Sequence, residues 1–346
     1  MKTLKRKIKQ KSFGFYNQKE LLVLSVQNDN GMRLRITNFA ATLMSLDVPD
    51  VSGNFTNVVV GFDSLEDYME KSKTKESKFL GASIGRYAGR ISNKKVKITN
   101  KEYPLYHENG VHLHGGKNGF DEKMWDIDYI NEDDLSVSLS YLSEDMEEGY
   151  PGNLQVKVTY QLTNDNKLKI TYQAISDKDT VVNLTNHAYY NLNGSGTIID
   201  HSLQLNCSKY LNLYQNQLPT GEIKPVIDTK FNFLETSNLK HLDREGILDD
   251  TLIFEPESEV KATFISKESG LKMEMRTNQP AAVVYTPERF PNWNFRKDAK
   301  YDKFPAICFE AQNYPDAPNH TNFPSSILKA GKYYKNEIEF AFSTIG

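Results

Sequence analysis

Two cysteines, Cys207 and Cys308, are all that the 346-residue chain carries. They are too few for a disulfide framework or a thiolate metal cluster, so apolar packing is the role expected of them. Long apolar runs are missing as well. The first strongly apolar stretch, LLVLSV at 21–26, is far below the roughly 20 residues that span a bilayer. The basic opening MKTLKRKIKQKSFGF has the charge of a secretory leader without its apolar core. Residues 1–12 are therefore expected to be a solvated tail and the protein to be cytoplasmic, with no membrane partner. Neither sign of charge dominates: the net charge of −3 gives no general attraction to nucleic acid or anionic lipid. Neither a GxGxxG nor a GxxxxGK[ST] loop occurs, which removes the usual nucleotide-binding readings. No Ser/Gly linker, charge block or low-complexity tract marks a boundary, so residues 1–346 are expected to form one domain.

What the sequence does have is period-two alternation. Leu135, Val137, Leu139 and Tyr141 alternate with polar neighbours, as do Leu154, Val156, Val158, Tyr160 and Leu162, then Leu168, Ile170, Tyr172 and Ala174. Each set is one buried strand face. The turn formers TNDNK at 163–167 make the second and third runs a predicted hairpin. Ile338, Phe340 and Phe342 predict another strand near the C-terminus. The best helical candidate is the short stretch DSLEDYMEKSK at 63–73, with Ser64 as a candidate N-cap. The expected fold is all-β, one large antiparallel β-sandwich.

On such a scaffold chemistry must come from strand ends and loops. In ICFEAQNYPDAPNH, Glu310 follows the apolar approach of a buried strand and precedes residues that cannot continue a sheet. In HLHGG at 112–116, an extended chain would put His112 and His114 on one face, with Gly115 and Gly116 permitting close approach of backbone or ligand. TNHAYYNLNG at 185–194 surrounds His187 with amides and tyrosines, and GRYAGR places Arg86 and Arg90 among small residues. Trp125, Tyr189 and Phe290 are candidate stacking surfaces. Read singly, each has a structural alternative: a hydrogen-bonded histidine, a surface ion pair, a core aromatic. A metal set of His112, His114, His187 and Glu310 is also compatible with the residue types.

Together, GRYAGRI, HLHGGKNGFDEKMW, EEGYPGNLQVKVTY, TNHAYYNLNG, LPTGEIKPV and FEAQNYPDAPNHTNFPSSILKAGKYY closely resemble the aldose 1-epimerase (galactose mutarotase) family, from about residue 20 to the C-terminus. The resemblance implies the galactose mutarotase-like supersandwich. It implies an isomerase that interconverts the α and β anomers of free hexoses such as galactose and glucose, as a monomer or homodimer, with no metal or cofactor. By the same resemblance Glu310 is the catalytic base and His187 the acid, while Arg90, His114 and Asp249 bind the sugar. Two stretches depart from the family pattern. A GxDH-like segment is here GILDDTLIF, which leaves Asp250 as a rival to Asp249, and a YTGN-like segment is YTPERF at 285–290. A sugar binder without turnover, or a phosphorylated hexose as substrate, are the other readings of the same pocket.

Overall fold

The computed structural model describes residues 7–50, 52–72, 74 and 78–345. The alternating segments become strands of three large antiparallel sheets. The first follows chain order through Lys7–Tyr16, Lys19–Gln27, Arg33–Thr37, Thr42–Pro49 and Phe55–Asn57. Its outermost strand corrects the expectation of a solvated tail at residues 7–12, because Lys7 pairs with Gln27 and Ser12 with Leu22. Residues 1–6 lie outside the described residues. An edge strand tolerates lysine: Lys9 and Lys11 stay exposed while Ile8 packs against the core. That explains why a basic segment that looks like a tail joins a sheet.

The second sheet has nine strands. Its central hairpin is the predicted one, with Leu154–Leu162 and Lys167–Ser176 in register from Leu154↔Ser176 to Leu162↔Leu168. Tyr333–Thr344, which carries the alternating Ile338, Phe340 and Phe342, adds beside it. The inward sets of this sheet and of the first merge into one hydrophobic core that runs from Leu24 to Phe342. The predicted helix forms over Leu65–Ser72, where the Ser64 hydroxyl accepts the Asp67 N–H at 3.1 Å as an N-cap should. Among the described residues no helix is long and apolar enough to cross a membrane.

The third sheet positions the functional groups. Its strand order is Tyr189–Tyr190, Ile307–Gln312, Ala281–Tyr285, Asp249–Ile253, Lys209–Leu213 and Pro219–Pro225. Because side chains two apart share a face, the register lays two rows across one side of it. The first row is Tyr189, Cys308, Tyr285 and Asp249. The second is Glu310, Val283 and Thr251. Every residue of Ile307–Gln312 is buried, so Glu310 projects from the interior of the protein and not from its surface.

Candidate active site

The two rows floor a cleft of about 260 Å³. Above Glu310 sits His187, which follows the short strand Thr185–Asn186. Its backbone is clamped by the segment before Arg86: the His187 N–H donates to the Ala82 carbonyl at 2.9 Å and its carbonyl accepts the Gly81 N–H at 3.0 Å. The ring then lies with Nε2 3.4 Å from Glu310 Oε1 and Nδ1 3.6 Å from Cys308 Sγ. Glu310 and His187 are only 2% and 3% exposed. Burial drives their titrations in opposite directions. Glu310 is pushed up to about 8 by desolvation and by the Asp249 charge, against the pull of Arg90. His187 is pushed down to about 4, chiefly by desolvation. Glu310 Oε2 is buried and has no hydrogen-bond partner among the described residues.

His114 faces the same space. The Gly89 N–H donates to its Nδ1 at 3.2 Å, which leaves Nε2 to carry the ring proton. Desolvation, with His187 and Arg90 nearby, holds it well below the ordinary histidine range. The His114 and His187 rings are 5.6 Å apart, and Phe79 packs on both, at 4.8 and 5.6 Å. Further along the cleft, Arg90 and Asp249 approach to 3.8 Å. Burial raises the Asp249 carboxyl, opposed mainly by Arg90. Asp250 projects from the opposite face of its strand, where its Oδ2 accepts the Asp249 N–H at 3.1 Å, so Asp249 is the aspartate that lines the cleft.

Glu310, His187, His114, Arg90 and Asp249 thus converge from five separate segments. Other singled-out residues do not join them. His112 turns away: its Nδ1 meets the Tyr106 carbonyl at 2.6 Å and its Nε2 the Tyr150 hydroxyl. The shared face expected of the two histidines fails because the strand ends at Leu113 and His114 takes a left-handed φ of 48°. Gly115 follows with φ +92°, where an added Cβ would stand 1.9 Å from the Gly85 carbonyl oxygen; the close approach is that of backbone. Arg86 is a buried tie, donating to Ser143 and to the carbonyls of Pro151 and Gly152. Trp125 belongs to the core with Phe120 and Tyr141. Tyr189 lines the cleft, with Phe290 packed against it at 5.4 Å.

Lys78, Phe79 and Gln217 also line the cleft, and no motif or periodicity in the sequence marks them. Phe79 and Gln217 have φ of 53° and 64°, turn conformations that neither residue type announces. Without His112, the residues able to hold a metal reduce, among the described residues, to His114, His187 and Glu310, whose donor atoms lie within 4.8 Å of one another. The arrangement offers a buried acid–base pair at one end of a cleft and polar groups suited to hydroxyls along it.

Comparison with known proteins agrees over nearly the whole chain. The aldose 1-epimerase family model matches residues 23–341. The chain is 35% identical over 333 residues to an aldose 1-epimerase of Haemophilus influenzae, covering 92% of this chain and 95% of that one. It is 35% identical over 327 residues to the galactose mutarotase of Sus scrofa, with 92% and 93% covered. Among solved structures, a GalM/aldose epimerase homologue from C. elegans matches with a TM-score of 0.87 at 30% identity, over 94% of this chain and 99% of that one. A galactose 1-epimerase from Lactobacillus acidophilus matches at 0.86 and 28% identity, over 99% and 100%. The sheets, the cleft and these relatives lead to one conclusion: the chain belongs to the aldose 1-epimerase family and is an isomerase.

Proposed function

We propose that the protein interconverts the α and β anomers of free aldohexoses, galactose and glucose, with Glu310 and His187 as the proton-transfer pair. The observation that carries this reading is the buried 3.4 Å contact between His187 Nε2 and Glu310 Oε1, beside a carboxylate oxygen with no partner among the described residues. Glu310 takes the proton from the C1 hydroxyl while His187 protonates the ring oxygen. The bond from C1 to the ring oxygen breaks and C1 becomes a carbonyl. Rotation about the C1–C2 bond presents the other carbonyl face, and the same two groups run in reverse close the ring. One proton serves the pair throughout. Before substrate binds it rests on Glu310, since burial pushes Glu310 up to about 8 and His187 down to about 4. Its transfer to His187 makes the reactive arrangement.

The other groups hold the sugar. His114, with Nδ1 occupied by Gly89, has an Nε2–H to donate to a sugar oxygen. Arg90 and Asp249 offer donors and acceptors to hydroxyls. All of these groups come from one chain, so a monomer suffices. The two buried free thiols agree with a reducing cytoplasm. Polarimetry of freshly dissolved α-galactose and α-glucose tests the proposal: the protein should accelerate the approach to equilibrium rotation. No acceleration with either sugar would reject it. The donor cluster of His114, His187 and Glu310 supports a second reading, a metal-assisted reaction, which chelation distinguishes.

A further inference from the structure

Gln217 lines the cleft from a hairpin that begins three strands away from the Glu310 strand. It belongs to the turn between strands Lys209–Leu213 and Pro219–Pro225, closed by the Gln217 N–H donating to the Tyr214 carbonyl and the Tyr214 N–H to that of Leu218, both at 2.9 Å. The Gln217 side chain lines the cleft beside Leu213 and Ile247, whose apolar side chains have no donor to offer. Its Oε1 is buried and without a hydrogen-bond partner among the described residues. A buried amide oxygen left unpaired is costly, and a sugar hydroxyl is the donor that the cleft is built to receive.

Sheet order gives the scale. From the Glu310 strand, the strands of Val283, Asp249 and Leu213 follow in turn, so the hairpin that carries Gln217 begins three strand spacings, ~14 Å, from the Glu310 strand. One hexopyranose with a hydrogen bond of ~2.8 Å at either end spans ~11 Å from its C1 hydroxyl to its C4 hydroxyl, and the side chains of Glu310 and Gln217, which both line the cleft, cover the rest. We propose that Gln217 is a substrate-binding residue that accepts a hydrogen bond from the hydroxyl at C4, the carbon opposite C1, and so sets the preference between galactose and glucose. These two sugars differ only in whether that hydroxyl is axial or equatorial, and a fixed acceptor meets one geometry better than the other. The assignment rests on the placement of C1 at Glu310 and His187 proposed above.

The test measures kcat and KM of wild type, Gln217→Met and Gln217→Glu with galactose, glucose and 4-deoxyglucose. Methionine keeps length and removes the acceptor. It should raise KM for the preferred epimer by about three- to tenfold, leave kcat within about twofold, shift the galactose-to-glucose ratio toward one, and spare 4-deoxyglucose. Gln217→Glu retains the acceptor and should retain the preference. An unchanged ratio in Gln217→Met, an equal loss on 4-deoxyglucose, or a Gln217→Glu protein that behaves like Gln217→Met overturns the proposal. Wild type that turns over neither hexose rejects the functional reading itself. Active wild type beside an insensitive Gln217→Met rejects only the role of Gln217.

Discussion

The two ends of the cleft are built by different means. At the inner end, Glu310 and His187 are 2% and 3% exposed, one fixed by sheet register and the other by backbone hydrogen bonds to a distant segment. At the outer end, Ile247 is 37% exposed, and Gln217 is half-buried in a hairpin turn. The inner end must exclude water, because desolvation shifts the two titrations and holds the reacting groups in one geometry. The outer end must only recognise hydroxyls, and loops can vary without disturbing the sheet. On the proposed roles, the molecule thus separates the step common to all aldoses from the features that distinguish one aldose from another.

The strongest challenge to that separation is Glu310→Gln. It preserves size and removes the basic oxygen, so turnover should fall by about 10²-fold or more with little change in sugar affinity. Stability supplies the control. With the folded-state pKa near 8 and an ordinary unfolded value, the folded protein holds a proton that the unfolded chain has lost throughout the interval between them. Wild type therefore loses stability as pH rises toward 8, and the glutamine variant lacks that loss. Its thermal midpoint should meet or exceed that of wild type at pH 8, with the gap closing toward pH 5. A destabilised variant with normal turnover would make Glu310 a structural acid.

The pH profile of kcat/KM comes next. In the proposed mechanism the singly protonated pair is the competent form, so the profile should hold a plateau between about 4 and about 8 and fall roughly tenfold per unit outside it. A flat profile across the whole stable range would count against a two-group mechanism. Arg90→Ala probes the passage from one end to the other. If, as proposed, the guanidinium grips hydroxyls in ground and transition states alike, KM should rise about tenfold while kcat changes little. A loss confined to kcat would move Arg90 into the proton-transfer machinery. The smallest effect expected is none at all: exhaustive chelation should leave the rate unchanged, and loss of activity restored by an added divalent cation would assign His114, His187 and Glu310 to a metal.

Legibility in the sequence follows the same division. Glu310 stands out because a carboxylate breaks an apolar strand, a conflict between pattern and composition that only a function resolves. His187 is marked by its amides and tyrosines. Asp249 is separable from Asp250 only through strand parity, which needs the register with Tyr285. Two neighbouring signals mislead. His112 and His114 look equivalent until the left-handed turn at His114 sends one ring into the cleft and the other to Tyr106 and Tyr150. Arg86 resembles Arg90 in its glycine-rich setting, yet backbone carbonyls from a remote loop consume its donors. Gln217 carries no signal, because a turn residue's aim depends on which distant strands it connects. The basic N-terminus misled for a related reason: pairing with Lys19–Gln27 is a property of the partner strand, and lysines suit an edge as well as they suit solvent.

The cross-strand pairing of Tyr189 with Cys308 also bears on how the enzyme comes into being. The contact between His187 and Cys308 spans 121 residues of chain, and the Tyr87 hydroxyl reaches the Tyr314 carbonyl across 227. Contacts so distant in sequence form slowly, whereas hairpins such as Leu154–Ser176 close from local collisions. On refolding from denaturant, β-sheet signal should therefore return before mutarotase activity, and catalysis becomes the reporter of the last long-range closure.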